Sequence, residues 1–131
     1  LADRLAEALT EFMHEKVRKE IWGYDKKENL HPKDLILEKY NGIRPAPGYT
    51  ACPDHSEKEK IFKLLDAQQI GVSLTESMAM KPNATVSGYY FSNPESKYFS
   101  VGKVQEDQIE DYSKRKKTSK KEIEKWLQSN I

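Results

Sequence analysis

Between Ile43 and Pro53 the chain carries Pro45, Pro47 and Pro53 together with Gly48, a spacing that forbids both a helix and a central strand. Each proline fixes its own φ and drives the preceding residue toward extended geometry. Arg44, Ala46 and Cys52 therefore lose freedom even in the unfolded chain. The segment reads as a rigid, preorganised loop, and its chemistry suits a ligand cradle. Arg44 can grip a carboxylate through two parallel hydrogen bonds. The carbonyls around Pro45 and Pro47 are acceptors that secondary structure is not expected to consume. Gly48 permits close approach of backbone and ligand, and Tyr49 offers a ring face to a cation plus a hydroxyl. The same composition also fits a stiff connector whose Arg44 pairs with a carboxylate on a helix.

What flanks the loop is periodic. Leu5, Leu9, Phe12, Met13, Val17 and Ile21 recur at helical steps, with Arg4, Glu11, Glu15, Arg18 and Lys19 on much of the opposite side, so a long N-terminal helix is predicted up to Gly23. Pro32 can open a shorter helix through Leu35, Ile36 and Tyr40 that Gly42 closes. Asp54 with Glu57 has capping-box spacing ahead of Ile61, Phe62, Leu64 and Leu65, which predicts a central helix ending near Gly71. Val72 and Leu74 begin an extended region. Val86–Phe91 and Tyr98–Val104 are β-branched and aromatic runs separated by Asn93-Pro94-Glu95-Ser96, and they are expected to pair as a hairpin at about 86–104. Ile109 with Tyr112, then Ser119 with Glu122 ahead of Ile123, Trp126 and Leu127, predict two C-terminal helices. The fold class expected is α+β, a small antiparallel sheet flanked by these helices, because strands and helices do not alternate as a doubly wound sheet requires.

Length and composition set further bounds. The 131 residues fit one domain, and a start on Leu1 inside a helical pattern reads as the C-terminal part of a domain that continues toward the N-terminus. With 37% hydrophobic and 33% charged residues and a net charge of +1, neither disorder nor a nucleic-acid footprint is indicated. Cys52 is the only cysteine, which excludes an internal disulfide and points to a reducing compartment, the cytoplasm. No apolar run is long enough to span a bilayer. His14, His31 and His55 lack metal-ligand spacing, so solvated or capping roles are expected for them and no metal site. Ser77, His55 and Asp54 have no nucleophile-elbow motif around them, and no catalytic residue is assigned. Tyr89, Tyr90, Phe91, Tyr98 and Phe99 could stack bases on a hairpin, but half-buried strands use the same aromatics for packing.

Arg44-Pro-Ala-Pro-Gly-Tyr49, with Pro53-Asp-His-Ser-Glu-Lys58 after it, resembles the activation domain of cobalamin-dependent methionine synthases. So do Leu1-Ala-Asp-Arg-Leu-Ala-Glu-Ala8, Trp22-Gly-Tyr24, Leu74-Thr-Glu-Ser77, Ser87-Gly88, Lys97-Tyr-Phe99 and Asp107-Gln108 through Asp111-Tyr112, in order and spacing over nearly the whole chain. The resemblance implies a module that binds S-adenosylmethionine in a shallow groove, docks on the cobalamin-binding domain of the same enzyme, and takes part in reductive methylation of Co(II) cobalamin. A flavodoxin-type donor would supply the electron, and zinc would belong to a separate homocysteine domain. It further implies that Arg44 binds the ligand carboxylate, Ala46 gives backbone contacts, Tyr98 and Phe99 wall the adenosine, and Glu7 approaches the same groove. Tyr49 and His55 would face cobalamin. The family's acidic residue for the ligand amine lies in an N-terminal portion outside this chain, which implies weak or no binding by these 131 residues unaided. Methyl transfer from a sulfonium needs no protein nucleophile or general acid, so positioning is the expected contribution. Lys114-Arg115-Lys116-Lys117 could meet an acidic flavodoxin surface, or could complement a helix dipole.

Overall fold

The apolar periodicity at the N-terminus produces α1, Ala2–Lys16, which runs on into a π-helical turn at Val17–Ile21. The structure, a computed structural model, describes all residues from Leu1 to Ile131. Burial along α1 and the turn after it does not follow the apolar stripe, of which only Val17 is buried. His14 and Arg18 are fully buried, while Leu5, Leu9, Phe12 and Ile21 of the apolar stripe are more than half exposed. Arg18 explains the inversion. Its guanidinium pairs with both oxygens of Glu28 and lies 4.5 Å from the centre of the Tyr40 ring. Its remaining Nη1 has no hydrogen-bond partner, and the ring face offsets part of that cost.

Helix α2, Pro32–Ile36, opens on the proline and is capped by His31, whose Nδ1 accepts the Lys33 amide at 3.3 Å. Helix α3, Lys58–Leu65, follows a 3-10 turn at His55–Glu57 that Asp54 caps by accepting the Ser56 amide at 2.8 Å. Two helices close the chain, α4 at Glu106–Lys116 and α5 at Lys120–Trp126, the latter capped by Ser119. Between them Ile109, Ile123 and Leu127 form a small buried cluster, with Val104 and Tyr112 packed on it. With 14 of 131 residues buried, apolar burial is thin, and polar networks carry much of the tertiary order.

The sheet is antiparallel but lies outside the predicted hairpin. Strand β1, Ser73–Leu74, pairs with β2, Met80–Lys81, in the register Ser73 to Lys81 and Leu74 to Met80. The runs 86–91 and 98–104 do not pair with each other, because the proline loop takes their donors. Ile43 and Phe91 exchange two backbone bonds of 3.0 and 2.9 Å. The Tyr89 amide donates to the Pro45 carbonyl at 2.9 Å, and the Val101 amide to that of Thr50 at 2.9 Å. A loop held extended by prolines is itself a strand-like edge, and it displaces the hairpin. The Pro45 carbonyl, expected to stay free for a ligand, is thereby used. Gly42 makes the bridge possible: its φ is +79°, and a Cβ there would stand 2.0 Å from the Phe91 carbonyl oxygen.

Candidate functional site

Arg44 leaves the rigid loop facing α1. Its backbone amide donates to the Tyr98 hydroxyl at 2.9 Å, and that hydroxyl lies 3.1 Å from the hydroxyl of Tyr40. The guanidinium is held along one side. Nη1 donates to Glu11 Oε1 at 3.1 Å and lies 3.0 Å from His14 Nδ1 and 3.2 Å from the Tyr40 hydroxyl. Nη2 donates to Glu11 Oε2 at 2.6 Å. Nε has no partner in the protein. Burial opposes the charge of Arg44, but the Glu11 hydrogen bonds outweigh it and hold the guanidinium above its usual pKa. The connector reading of the loop thus has its helix carboxylate in Glu11, yet part of the guanidinium is left over.

His14 is not solvated, contrary to the expectation from its charged neighbours. It has no exposed surface, stacks on Tyr90 with ring centres 5.1 Å apart, and meets Tyr40 edge-on at 4.8 Å. Burial, then the charges of Arg18 and Arg44, lower its pKa to about 3. The ring is therefore neutral, and an unprotonated Nδ1 faces Arg44 as an acceptor.

Glu7, Thr10 and Glu11 on α1, Arg44 and Ala46 in the loop, and Tyr98 opposite surround an open hollow of about 450 Å³. Of the residues singled out from the sequence, Glu7, Arg44, Ala46, Tyr98 and Tyr49 line this one hollow. Phe99 does not. Its ring lies beside Pro45, Cys52 and Phe91 in a different hollow of about 630 Å³, because successive side chains of an extended segment point to opposite faces. His55 lies in a third, of about 500 Å³, which it shares with Tyr49. There its Nδ1 is 2.9 Å from Lys58 Nζ, and burial followed by the Lys58 charge lowers its pKa. Gly48 does serve close approach, but toward this ring: with φ at +96°, a Cβ would stand 2.3 Å from His55 Cε1.

The other end of the loop is fastened to α4. Lys116 bonds to Asp54 and lies 2.9 Å from Glu57 Oε1, and the Tyr112 hydroxyl donates to Asp54 at 2.6 Å. The basic run is thus divided. Lys116 serves the fold, while Lys114 and Arg115 pair with Glu110 and Asp111 on the exposed side of their own helix. Glu11, His14 and Tyr40 are the site residues that sequence reasoning missed. Glu11 carried a usable signal, since it follows Glu7 by four residues and shares its helical face. No cluster of three potential metal ligands occurs, and no helix is long and apolar enough to cross a membrane.

Two comparisons bear on this arrangement. Residues 1–117 match the family model for the activation domain of vitamin B12 dependent methionine synthase. Among solved structures, the chain is similar to the MetH reactivation domain bound to AdoHcy, with 56% identity and a TM-score of 0.93 over 98% of this chain. The match spans 40% of that protein's chain. A family match over most of the sequence, joined to a near-identical backbone course, settles the kinship: this chain belongs to the vitamin B12 dependent methionine synthase activation-domain family.

Proposed function

We propose that this chain binds S-adenosylmethionine in the hollow between α1 and the Arg44 loop and presents its methyl group for reductive methylation of cobalamin, as part of a methionine synthase. The observation that carries the reading is the charge pattern of the hollow, two carboxylates, Glu7 and Glu11, against the single guanidinium of Arg44. S-adenosylmethionine carries a carboxylate, an ammonium and a sulfonium. Its net positive charge meets a net negative wall, and its one anion meets the one cation. The volume lies within the range of small-molecule sites, and the similar solved structure is bound to AdoHcy.

In this reading Arg44 grips the carboxylate, Glu7 attracts the ammonium, the Ala46 backbone and the Tyr98 ring flank the adenosine, and the neighbouring Phe99 contributes main-chain groups. Cobalamin, held by the neighbouring domain, supplies the centre that takes up the methyl group. Tyr49, 70% exposed at the mouth of the hollow, and His55 beyond it form the face presented to that domain. A good leaving group needs orientation more than acid or base, and a proline-stiffened loop provides orientation. A flavodoxin-type electron donor and a cytoplasmic setting complete the proposal. The aromatic hairpin on which a nucleic-acid reading depended does not form, so no observation favours that alternative.

Titration calorimetry with S-adenosylmethionine tests the proposal. The wild type binds, and Arg44→Ala weakens binding by roughly 10- to 100-fold, the scale of a charge-assisted hydrogen-bond pair. Absence of binding, or an Arg44→Ala variant that binds as the wild type does, sinks it.

A further inference from the structure

We propose that Glu11 and His14 are positioning residues that clamp the far side of the Arg44 guanidinium, leaving its Nε and the adjoining Nη2 hydrogen as a ready-made carboxylate fork. The proposal rests on the reading of Arg44 as the carboxylate-binding residue. A guanidinium has five N–H donors in one plane. Both oxygens of Glu11 take the edge shared by Nη1 and Nη2, at 3.1 and 2.6 Å. The outer Nη1 hydrogen is directed to His14 Nδ1 at 3.0 Å, with the Tyr40 hydroxyl at 3.2 Å beside it. Two parallel donors remain, on Nε and on the adjacent side of Nη2, and no protein group takes them. They have the spacing that a carboxylate accepts side-on.

Two features separate a clamp from a competitor that the ligand must displace. Displacement would strand a half-buried Glu11, 31% exposed, without its cation, whereas the open edge lets ligand and Glu11 bind together. His14 also cannot become a rival donor, because a proton on Nδ1 would face the Arg44 guanidinium 3.0 Å away, and the Arg18 charge opposes that proton too. The clamp immobilises a long side chain before the ligand arrives, so less rotamer entropy is lost on binding.

The test is titration of the full chain with S-adenosylmethionine and with its decarboxylated analogue, which keeps the sulfonium and the amine. The wild type prefers the carboxylate-bearing ligand, and Arg44→Ala abolishes the preference. His14→Ala is expected to cut that preference while affinity for the analogue holds. Glu11→Gln is expected to cut it roughly tenfold and, because Glu11 is also one of the two wall carboxylates, to weaken the analogue by a smaller factor. A general structural role would weaken both ligands alike. A preference that stays level or rises in Glu11→Gln makes Glu11 a bystander or a competitor and overturns the proposal while leaving the reading of Arg44 intact. A wild type without any Arg44-dependent preference overturns that reading, and the clamp with it. Should Glu11→Gln fail to fold, nitrogen-15 NMR of wild-type Arg44 decides. Slow Nη rotation with a freely exchanging Nε–H in the unliganded protein supports the clamp; free Nη rotation contradicts it.

Discussion

The Tyr98 hydroxyl accepts the backbone amide of Arg44 at 2.9 Å while lying 3.1 Å from the Tyr40 hydroxyl, so one phenol ties the ligand loop both to the segment before it and to the segment across the groove. Tyr98→Phe removes this tie and keeps the ring. The expected outcome is a loss of about 1 kcal/mol in stability, the net scale of such a hydrogen bond, and a several-fold weaker S-adenosylmethionine affinity. Urea melts and calorimetry on the same variant measure both. Unchanged affinity would mean that Tyr98 serves only as a wall.

Protonation of His14 should destabilise the fold. Its pKa is lowered from 6.5 to about 3 in the folded chain, so the unfolded state binds the extra proton between those values. The stabilisation is complete above pH 6.5 and is lost as pH falls from there toward 3, by at most about 1.4 kcal/mol per pH unit well inside that window. Denaturant unfolding at pH 7 and pH 5 should show this slope in the wild type and a shallower one in His14→Gln.

Lys116→Met tests the anchor at the end of the loop. Asp54, its side chain 4% exposed, loses the cation that offsets its burial, keeping only Tyr112 and Ser56 as donors. A cost of about 2–3 kcal/mol is expected, below that of a wholly buried pair because the Lys116 side chain is 17% exposed. A double variant, Lys116→Met with Asp54→Asn, should regain part of it. Costs of Lys116→Met and Asp54→Asn that simply add in the double variant would show that the two groups act independently.

Gly48→Ala should injure the site through two routes. The residue is held at a φ of +96°, and the added methyl would collide with the His55 ring at 2.3 Å. A loss of about 1–3 kcal/mol is expected, with a displaced His55 imidazole signal in the proton NMR spectrum. Wild-type stability and an unmoved signal would show that the loop yields easily.

Much of the architecture was legible in the sequence because its signals were local. The run from Leu5 to Ile21, proline at the start of α2, and the caps at Asp54 and Ser119 each fix an element by contacts a few residues apart. The hairpin at 86–104 was misread for the complementary reason. Its residues have strand chemistry, but the edge they pair with lies 44 to 51 residues upstream, in a segment whose prolines read as loop. His14 was misread because what covers it comes from distant sequence: Tyr40 and Tyr90 pack on its ring and Arg44 reaches its Nδ1. In the site, Arg44 stood out through its setting among prolines, whereas Glu11, His14 and Tyr40 belong to it only through the fold.

The clasps around Arg44 join residues 33 and 54 positions apart, to Glu11 and to Tyr98. Closing such spans costs loop entropy that a helix, built from neighbours, does not incur. The pocket should therefore mature late, with the amides of Ile43, Arg44 and Phe91 protected after those of α1 in pulse-labelled hydrogen exchange. During synthesis the loop would emerge well before its partner Tyr98. A ligand that recognises the finished fork then acts as a proofreader of folding, stabilising by mass action only those chains whose distant segments have met.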